Sequence, residues 1–298
     1  MSTSRGGYRV AAISNNKNLT MEARLVIGAD GTYSKVARWL KLDSNNPRAI
    51  MYAAEAQLKR ENADIVDVFL GRRLAPGWFG WLIPLNKNTC RVGICYALVK
   101  EKRSPKELFE RMVNKFPDVF RGIQIMRCTG GAVSLGQMPK IYGPHAMLVG
   151  DAACQTKPIS GGGIYPGLRG AQLCAKIAVQ ALKEDDLSEK GLARYQNLWE
   201  REMGREILCG MSYRENFLNF SDEDMDLLIR LLDKPKWLKT ILQYGDIDYP
   251  SFLANRLFVL NPVVRGLFKR ICHTPSPLAN SVVSPRGSGV SFGSEAET

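Results

Sequence analysis

Residues 146–182 read AMLVGDAACQTKPISGGGIYPGLRGAQLCAKIAVQAL, and the reading of this stretch decides the fold. Ala146 to Val149 is an apolar run too short for a helix and bounded by Gly150-Asp151, so it predicts a buried strand of an α/β sheet. A polar loop with Lys157-Pro158 follows, then the consecutive glycines Gly161, Gly162 and Gly163. Beyond them Ile164, Leu168, Ala171, Ala175, Ala178 and Leu182 recur at intervals of three and four, which predicts an amphipathic helix. Strand, glycine-rich turn and helix together bring backbone N–H groups up to an anion or a polar ring. Glycine lacks the Cβ that would block approach, and the helix N-terminus adds about half a positive charge. Asp151 stands at the strand's carboxyl end, where ligands of open α/β sheets sit, and a carboxylate there accepts hydrogen bonds from a cofactor's hydroxyls.

Gly150-Asp151-Ala152-Ala153, Pro158 and Gly161-Gly162-Gly163-Ile164-Tyr165 resemble the second FAD motif of the geranylgeranyl reductase family. These are flavoproteins of the glutathione-reductase-type fold, related to aromatic-ring hydroxylases. The resemblance implies that Asp151 binds the ribityl chain of FAD. It also implies that Pro158 and the three glycines line the isoalloxazine ring, with the helix N-terminus facing its N1–C2=O edge, and it places Gly150 and Ile164 among the cofactor-binding residues. A reduced flavin is negative at that edge, and a helix dipole stabilises it.

The chain has 298 residues, 45% of them apolar, enough for two domains with buried cores. Its formal charge of +12 suits an anionic partner: nucleic acid, phospholipid head groups or a phosphorylated substrate. The sequence carries no arginine-rich arm, zinc-finger spacing or RNA-binding aromatic signature, so no nucleic acid partner is expected. No segment reaches the ~18 uninterrupted apolar residues of a spanning helix, and the first twenty residues are no signal peptide. The expected location is cytoplasmic, at most peripheral on the inner membrane face. The seven cysteines are scattered and include no C-x-x-C pair, which predicts neither a disulfide framework nor a zinc site. Cys154 reads as a small apolar filler and His145 as structural.

Tyr8 to Ile13 predicts a strand, Asn15 to Asn18 a turn, and Arg24 to Gly28 a second, buried strand ending in Gly28-Ala29-Asp30-Gly31. Ser34, Val36 and Arg38 lead into a short helix. The pattern resembles the Asp-Gly motif of the same flavoproteins, which implies that Asp30 and Gly31 lie near the FAD ribityl and pyrophosphate groups and that Arg38, the motif's arginine, is among the cofactor-binding residues. A dinucleotide fold should also open with G-x-G-x-x-G in a βαβ unit of ~30 residues. Only Gly287 to Gly293 has a similar spelling, and it lies in a polar tail. Since the family's ADP-binding unit precedes the Asp-Gly motif, the expectation is an N-terminally incomplete chain.

Residues 47–135 predict an inserted antiparallel sheet, from β-rich runs at Ala49 to Leu58, Ile65 to Leu70, Gly80 to Ile83 and Cys90 to Leu98. Ser104 and Pro105 predict the N-cap and first residue of a helix burying Leu108, Phe109, Met112, Val113 and Phe116. Pro76-Gly77-Trp78-Phe79-Gly80-Trp81-Leu82-Ile83-Pro84 resembles the reductases' substrate motif P-x-x-Y-x-W-x-F-P, with Pro76, Trp81 and Pro84 matching and Phe79 replacing the tyrosine. That implies a substrate wall of Pro76, Phe79, Trp81 and Pro84, since a prenyl chain offers only C–H surface to hold.

Past Lys183 the chain reads as helical: one helix over 187–220, two shorter ones over 222–233 and 235–242, and an apolar stripe from Phe252 to Ile271 flanked by basic residues. The stripe suits either docking on the body or peripheral membrane contact. A disordered Ser/Gly/Pro-rich tail is expected after His273.

The fold expected is α/β with an α+β insertion, a partial glutathione-reductase-type FAD-binding fold. Its parts are an FAD-domain segment at 1–46, a substrate sheet at 47–135, a second FAD-domain segment at 136–185, a helical region at 186–272 and a tail at 273–298. The resemblance implies FAD-dependent reduction of geranylgeranyl double bonds in membrane ether lipids, with NADPH or ferredoxin as electron donor. No residue is assigned as proton donor, because the family's candidate cysteine would precede Met1. Two rivals stand beside it: a flavin-dependent ring hydroxylase of the same superfamily, and an inactive fragment that binds no flavin.

Overall fold

In the computed structural model, which describes residues 2–4, 6–42, 46–97 and 101–253, the chain opens with an antiparallel meander. Its strands are β1 (Ser2–Ser4), β2 (Gly7–Ser14) and β3 (Lys17–Ala23). Asn15 and Asn16 turn β2 into β3 with positive φ, a conformation that asparagine tolerates. The strand β3 escaped the sequence reading because its residues are mostly exposed and show no apolar alternation.

Next comes β4 (Val26–Gly28), which lies parallel to β11 (Ala146–Leu148) in the register Val26–Ala146, Ile27–Met147 and Gly28–Leu148. The short strand β10 (Tyr142–Gly143) completes this sheet on the other side of β11. Parallel pairing is what positions the site: the carboxyl ends of β4 and β11 run out side by side, one into Asp30-Gly31, the other into Gly150-Asp151. After β4, Ser34 caps the five-residue helix α1 (Lys35–Trp39) by accepting from the Ala37 amide.

Between these strands lies a five-stranded antiparallel sheet, in the order β6 (Asp67–Phe69), β7 (Gly80–Pro84), β8 (Thr89–Tyr96), β5 (Arg48–Gln57) and β9 (Gln124–Ser134). The four β-rich runs of the sequence fall on β5 to β8. The sequence reading missed β9, whose outer residues Gln124 to Gly131 are exposed and carry no alternating signal. Helix α2 (Pro105–Lys115) covers one face through Leu108, Phe109 and Met112, which pack on Leu82, Val92 and Ile94. A full capping box starts it: Ser104 Oγ accepts from the Glu107 amide at 3.2 Å, and Glu107 Oε2 accepts from the Ser104 amide at 2.5 Å. Ser104→Ala is expected to cost about 1 kcal/mol, a fall of roughly 3 °C in the melting midpoint that calorimetry reads directly.

Helix α3 (Ile164–Glu184) packs beside β11 and on α4 (Glu189–Trp199). Its inner face only partly follows the apolar stripe of the sequence. Pro166, Gly170, Cys174, Ile177, Ala178 and Ala181 are buried, whereas Ile164 and Leu168 are 81% and 61% exposed. Apolar residues occupy two sides of this helix, so periodicity alone could not choose. On the inner face Gly170 lies against the buried Gln155 side chain, where a Cβ would collide with its amide.

The single helix expected over 187–220 is interrupted: α4 passes through a π-helical turn, Glu200–Gly204, into α5 (Arg205–Leu218). Leu192, Tyr195, Trp199, Met203 and Ile207 nevertheless share one buried face across the interruption. Two helices follow, α6 (Asp222–Leu232) and α7 (Pro235–Tyr244). Most of the apolar stripe expected from Phe252 to Ile271, and the tail after it, lie outside the described residues. Among the described residues no helix is long and apolar enough to cross a membrane.

Candidate functional site

Asp151 is half-buried at the carboxyl end of β11, in a 3-10 turn spanning Gly150–Ala153. Thr32, from the loop after β4, reaches it: the hydroxyl lies 2.7 Å from the Ala132 carbonyl and 3.2 Å from Asp151 Oδ2, one proton between two acceptors. That contact joins the two loops predicted to meet at one cofactor. Burial pushes the Asp151 carboxyl above its ordinary range, and the Thr32 hydroxyl only partly offsets it. No other donor reaches this carboxylate among the described residues, so it retains acceptor capacity.

The turn is held from beneath. Gln155 Oε1 accepts from the Gly150 amide at 2.8 Å, while its Nε2 donates at 2.8 Å to Tyr195 Oη, which donates on to the Leu148 carbonyl at 2.9 Å. Gln155 and Tyr195 are fully buried, so this satisfied chain ties the Asp151 turn rigidly to β11 and α4. The sequence reading passed over Thr32, Gln155 and Tyr195. Their only sequence signal is polarity next to motif residues, which does not reveal a partner forty residues away.

The glycine turn differs in detail from expectation. The Gly161 amide donates to the Lys157 carbonyl at 2.9 Å, and the Gly162 amide lies 3.4 Å from Ser160 Oγ, so both serve the turn itself. Free donors begin one residue later. Gly163 caps α3 without a side-chain bond, and the amides of Gly163, Ile164 and Tyr165 find no acceptor among the described residues. Gly163 must be small here: a Cβ would stand 3.0 Å from Asp151 Oδ1 and 3.1 Å from Thr156 Cγ2. Bare amides at the start of a 21-residue helix therefore adjoin the under-bonded carboxylate. Pro158 is buried against α5, its ring 3.1 Å from where a Cβ on Gly210 would lie.

Asp30 is committed locally. Its Oδ1 accepts from Ser34 Oγ at 2.6 Å, and Oδ2 accepts from the Lys35 and Val36 amides at 2.6 and 3.2 Å, closing the N-terminus of α1. Burial alone would raise this carboxyl, but those hydrogen bonds outweigh it and hold it below the ordinary range. Arg38 is exposed and turns back to the Ser34 and Tyr33 carbonyls, each at 3.3 Å.

The sheet face opposite α2 carries the other motif. Phe79 and Trp81 lie on it, and Trp81 lies flat over Gly93, where a Cβ would meet the indole at 2.2 Å. Phe79 meets Trp81 edge-on at 6.1 Å, and Trp78 stacks on Phe79 at 5.9 Å. Trp78 in turn abuts the glycine turn, 3.2 Å from where a Cβ on Gly161 would stand. An aromatic row thus starts at the glycine turn and runs out along the sheet. Pro76 is buried before the row, its carbonyl accepting from the Ala97 amide at 3.0 Å, and Pro84 closes β7 half-buried. Trp78 falls on an unspecified position of the substrate motif and had no role in the sequence reading, although it is the residue that joins the two motifs.

A family model described as the geranylgeranyl reductase catalytic domain matches residues 48–133, which cover most of the five-stranded sheet. A digeranylgeranylglycerophospholipid reductase of Methanococcoides burtonii is 33% identical over 259 residues, covering 85% of this chain and 61% of that protein. A reductase of the same name from Methanosphaera stadtmanae is 32% identical over 76% of this chain and 58% of its own length. The chain thus spans about three fifths of these relatives. Among solved structures, a geranylgeranyl bacteriochlorophyll reductase-like protein of Thermoplasma acidophilum superposes with a TM-score of 0.73, at 24% identity, over 87% of this chain and 68% of that one. A flavin-dependent halogenase shares the fold more distantly, at a TM-score of 0.58 and 16% identity.

Proposed function

The chain belongs to the geranylgeranyl reductase family, and from that premise we propose that it serves the FAD-dependent reduction of carbon–carbon double bonds in geranylgeranyl chains of membrane ether lipids. The observation that carries this reading is the aromatic row of Trp78, Phe79 and Trp81, which begins at the glycine turn next to Asp151. The residues present fit a flavin. Asp151 keeps acceptor capacity that would suit ribityl hydroxyls, and the amides of Gly163, Ile164 and Tyr165 would hold an electron-rich ring edge. Gly31 and Gly150, both at positive φ, have open space where a Cβ would project.

Bound reduced FAD supplies the hydride for such a reduction. The chain's own part is to position and to exclude water. Phe79 and Trp81, half-buried and set edge to face, offer apolar surface that would hold a prenyl chain by burial, without polar groups that would need desolvation. Trp78 at the glycine turn sets how closely that chain approaches the ring. Asp30 acts one step back, by holding α1 and with it the loop from which Thr32 reaches Asp151. The NADPH or ferredoxin donor and the peripheral membrane contact remain part of this proposal.

The test is a titration of the purified chain with FAD, followed by anaerobic reduction with dithionite in the presence of a digeranylgeranylglycerophospholipid. The expected result is quenched flavin fluorescence on binding and hydrogen gain in the lipid by mass spectrometry. Bound flavin with unchanged lipid would refute the reductase reading. Oxygen consumption with an aromatic substrate would favour the ring hydroxylase instead.

A further inference from the structure

Arg214 on α5 is only 8% exposed and has no carboxylate partner among the described residues. Its guanidinium stacks on the Trp78 indole, 4.2 Å from the ring centroid, and Nη2 donates to the Gly77 carbonyl at 2.7 Å. Nε and Nη1 find no acceptor in the described protein, yet neither is sealed from open space. A guanidinium has five N–H donors, and a buried one left without an anion is costly. Desolvation already draws it down to about 10, against a small opposing pull from Cys95.

The surroundings say what kind of anion belongs there. Met211, one turn earlier on α5, packs with Trp78, Phe79, Trp81 and Cys95 in one apolar cluster. A lone cation at the inner end of an aromatic strip is the imprint of an amphiphile, a long apolar chain with one anionic group. The reduced flavin edge is a poorer match. It would already be served by the bare amides of α3, and the glycine turn meets the indole at its edge while Arg214 lies over the indole's face.

We propose that Arg214 is the phosphate-binding residue of this site, its free N–H groups holding the headgroup phosphate of the prenyl lipid whose chain lies along Trp78, Phe79 and Trp81. The proposal rests on the reductase reading and adds to it the residue that selects a phosphorylated lipid. Sequence reasoning had no means of finding Arg214, because on the exposed-looking helix pattern it is one basic residue among many.

The experiment compares geranylgeranyl phosphate with geranylgeraniol for binding to the FAD-loaded chain, read by calorimetry, for the wild type, Arg214→Met and Arg214→Lys. Methionine keeps an apolar stem over Trp78. The wild type is expected to prefer the phosphate by about thirtyfold, the worth of ~2 kcal/mol for a charge-assisted pair. Arg214→Met should bring the ratio near unity, and Arg214→Lys should fall between, because an ammonium keeps the charge but loses the planar fork. The proposal is overturned if Arg214→Met leaves the ratio unchanged. It is equally overturned if both ligands weaken together with a lower melting midpoint, which would make Arg214 a brace for Trp78. A lowered flavin midpoint potential with an unaltered ratio would assign the cation to the flavin instead. Inorganic phosphate competing as strongly as geranylgeranyl phosphate would mark a plain anion site and also overturn it. Wild-type binding of geranylgeraniol without preference for the phosphate sinks Arg214 alone. Failure of both ligands to bind the flavin-loaded wild type sinks the reductase reading with it.

Discussion

Asp151→Ala is expected to raise the dissociation constant for FAD by about tenfold to a hundredfold, the usual worth of hydrogen bonds to one charged acceptor. Flavin fluorescence titration measures it. The carboxylate is half-buried, receives only the shared proton of Thr32 among the described residues, and adjoins the uncapped start of α3. Everything about its setting suits donors that come from outside the chain. Stability without flavin should move the other way. Burial raises the Asp151 carboxyl in the folded state above its unfolded value. The protonated form is therefore favoured by folding, and the associated stability is full below the unfolded value and lost as pH rises through the folded one. At neutral pH the charged group is a burden, so Asp151→Asn should raise the melting midpoint of the flavin-free chain while still weakening FAD. The gain should shrink as pH is lowered into the ordinary carboxylate range. A midpoint that falls at neutral pH would show that the charge is stabilised by partners inside the fold.

The second large effect is structural and lies at Gly170. A Cβ there would fall 2.0 Å from Gln155 Oε1, inside any allowed contact. Gln155 cannot simply swing away, since it is fully buried and bonded to both the Gly150 amide and the Tyr195 hydroxyl. Gly170→Ala therefore either displaces α3 from β11 or evicts the Gln155 amide, leaving that amide and the Gly150 N–H without their bonds while Tyr195 keeps only its bond to the Leu148 carbonyl. At ~1–3 kcal/mol for each such group, the expected loss is about 2–6 kcal/mol, a fall of roughly 10 °C in the melting midpoint. FAD affinity should fall with it, because the same network holds the Asp151 turn. Gln155→Ala combined with Gly170→Ala should cost clearly less than the sum of the two single changes, since the smaller side chain removes the collision. Strict additivity would mean that the two residues do not meet.

Much of this protein is readable without coordinates. The run Ala146 to Val149 before Gly150-Asp151, the apolar Val26-Ile27-Gly28 before Asp30-Gly31, and Ser104-Pro105 each carry a local rule: buried strand, strand end, helix start. The four strand runs between residues 49 and 98 alternate because one face is covered by α2 and the other is partly open. Where local rules were silent, the reading fell short. The strands β3 and β9 are polar and exposed, and the π-helical turn between α4 and α5 preserves the buried face that periodicity detects. The inner face of α3 stayed open because apolar residues lie on two sides of the helix and only the structure brings Gly170 against Gln155.

By itself, then, the sequence determined the local elements, the two glycine–aspartate turns and the aromatic motif, because each depends on neighbours within a few residues. Tertiary structure alone decided which donors remain free. It committed Asp30 to its own helix, left Asp151 with a single shared donor among the described residues, took the Gly161 and Gly162 amides into the turn while leaving those of Gly163, Ile164 and Tyr165, and buried Arg214 against Trp78 with no carboxylate partner among the described residues. Hydrogen bonding and desolvation are settled by atoms that approach through space, 119 residues apart for Thr32 and Asp151 and 137 for Arg214 and Gly77. No spacing rule along the chain reaches that far.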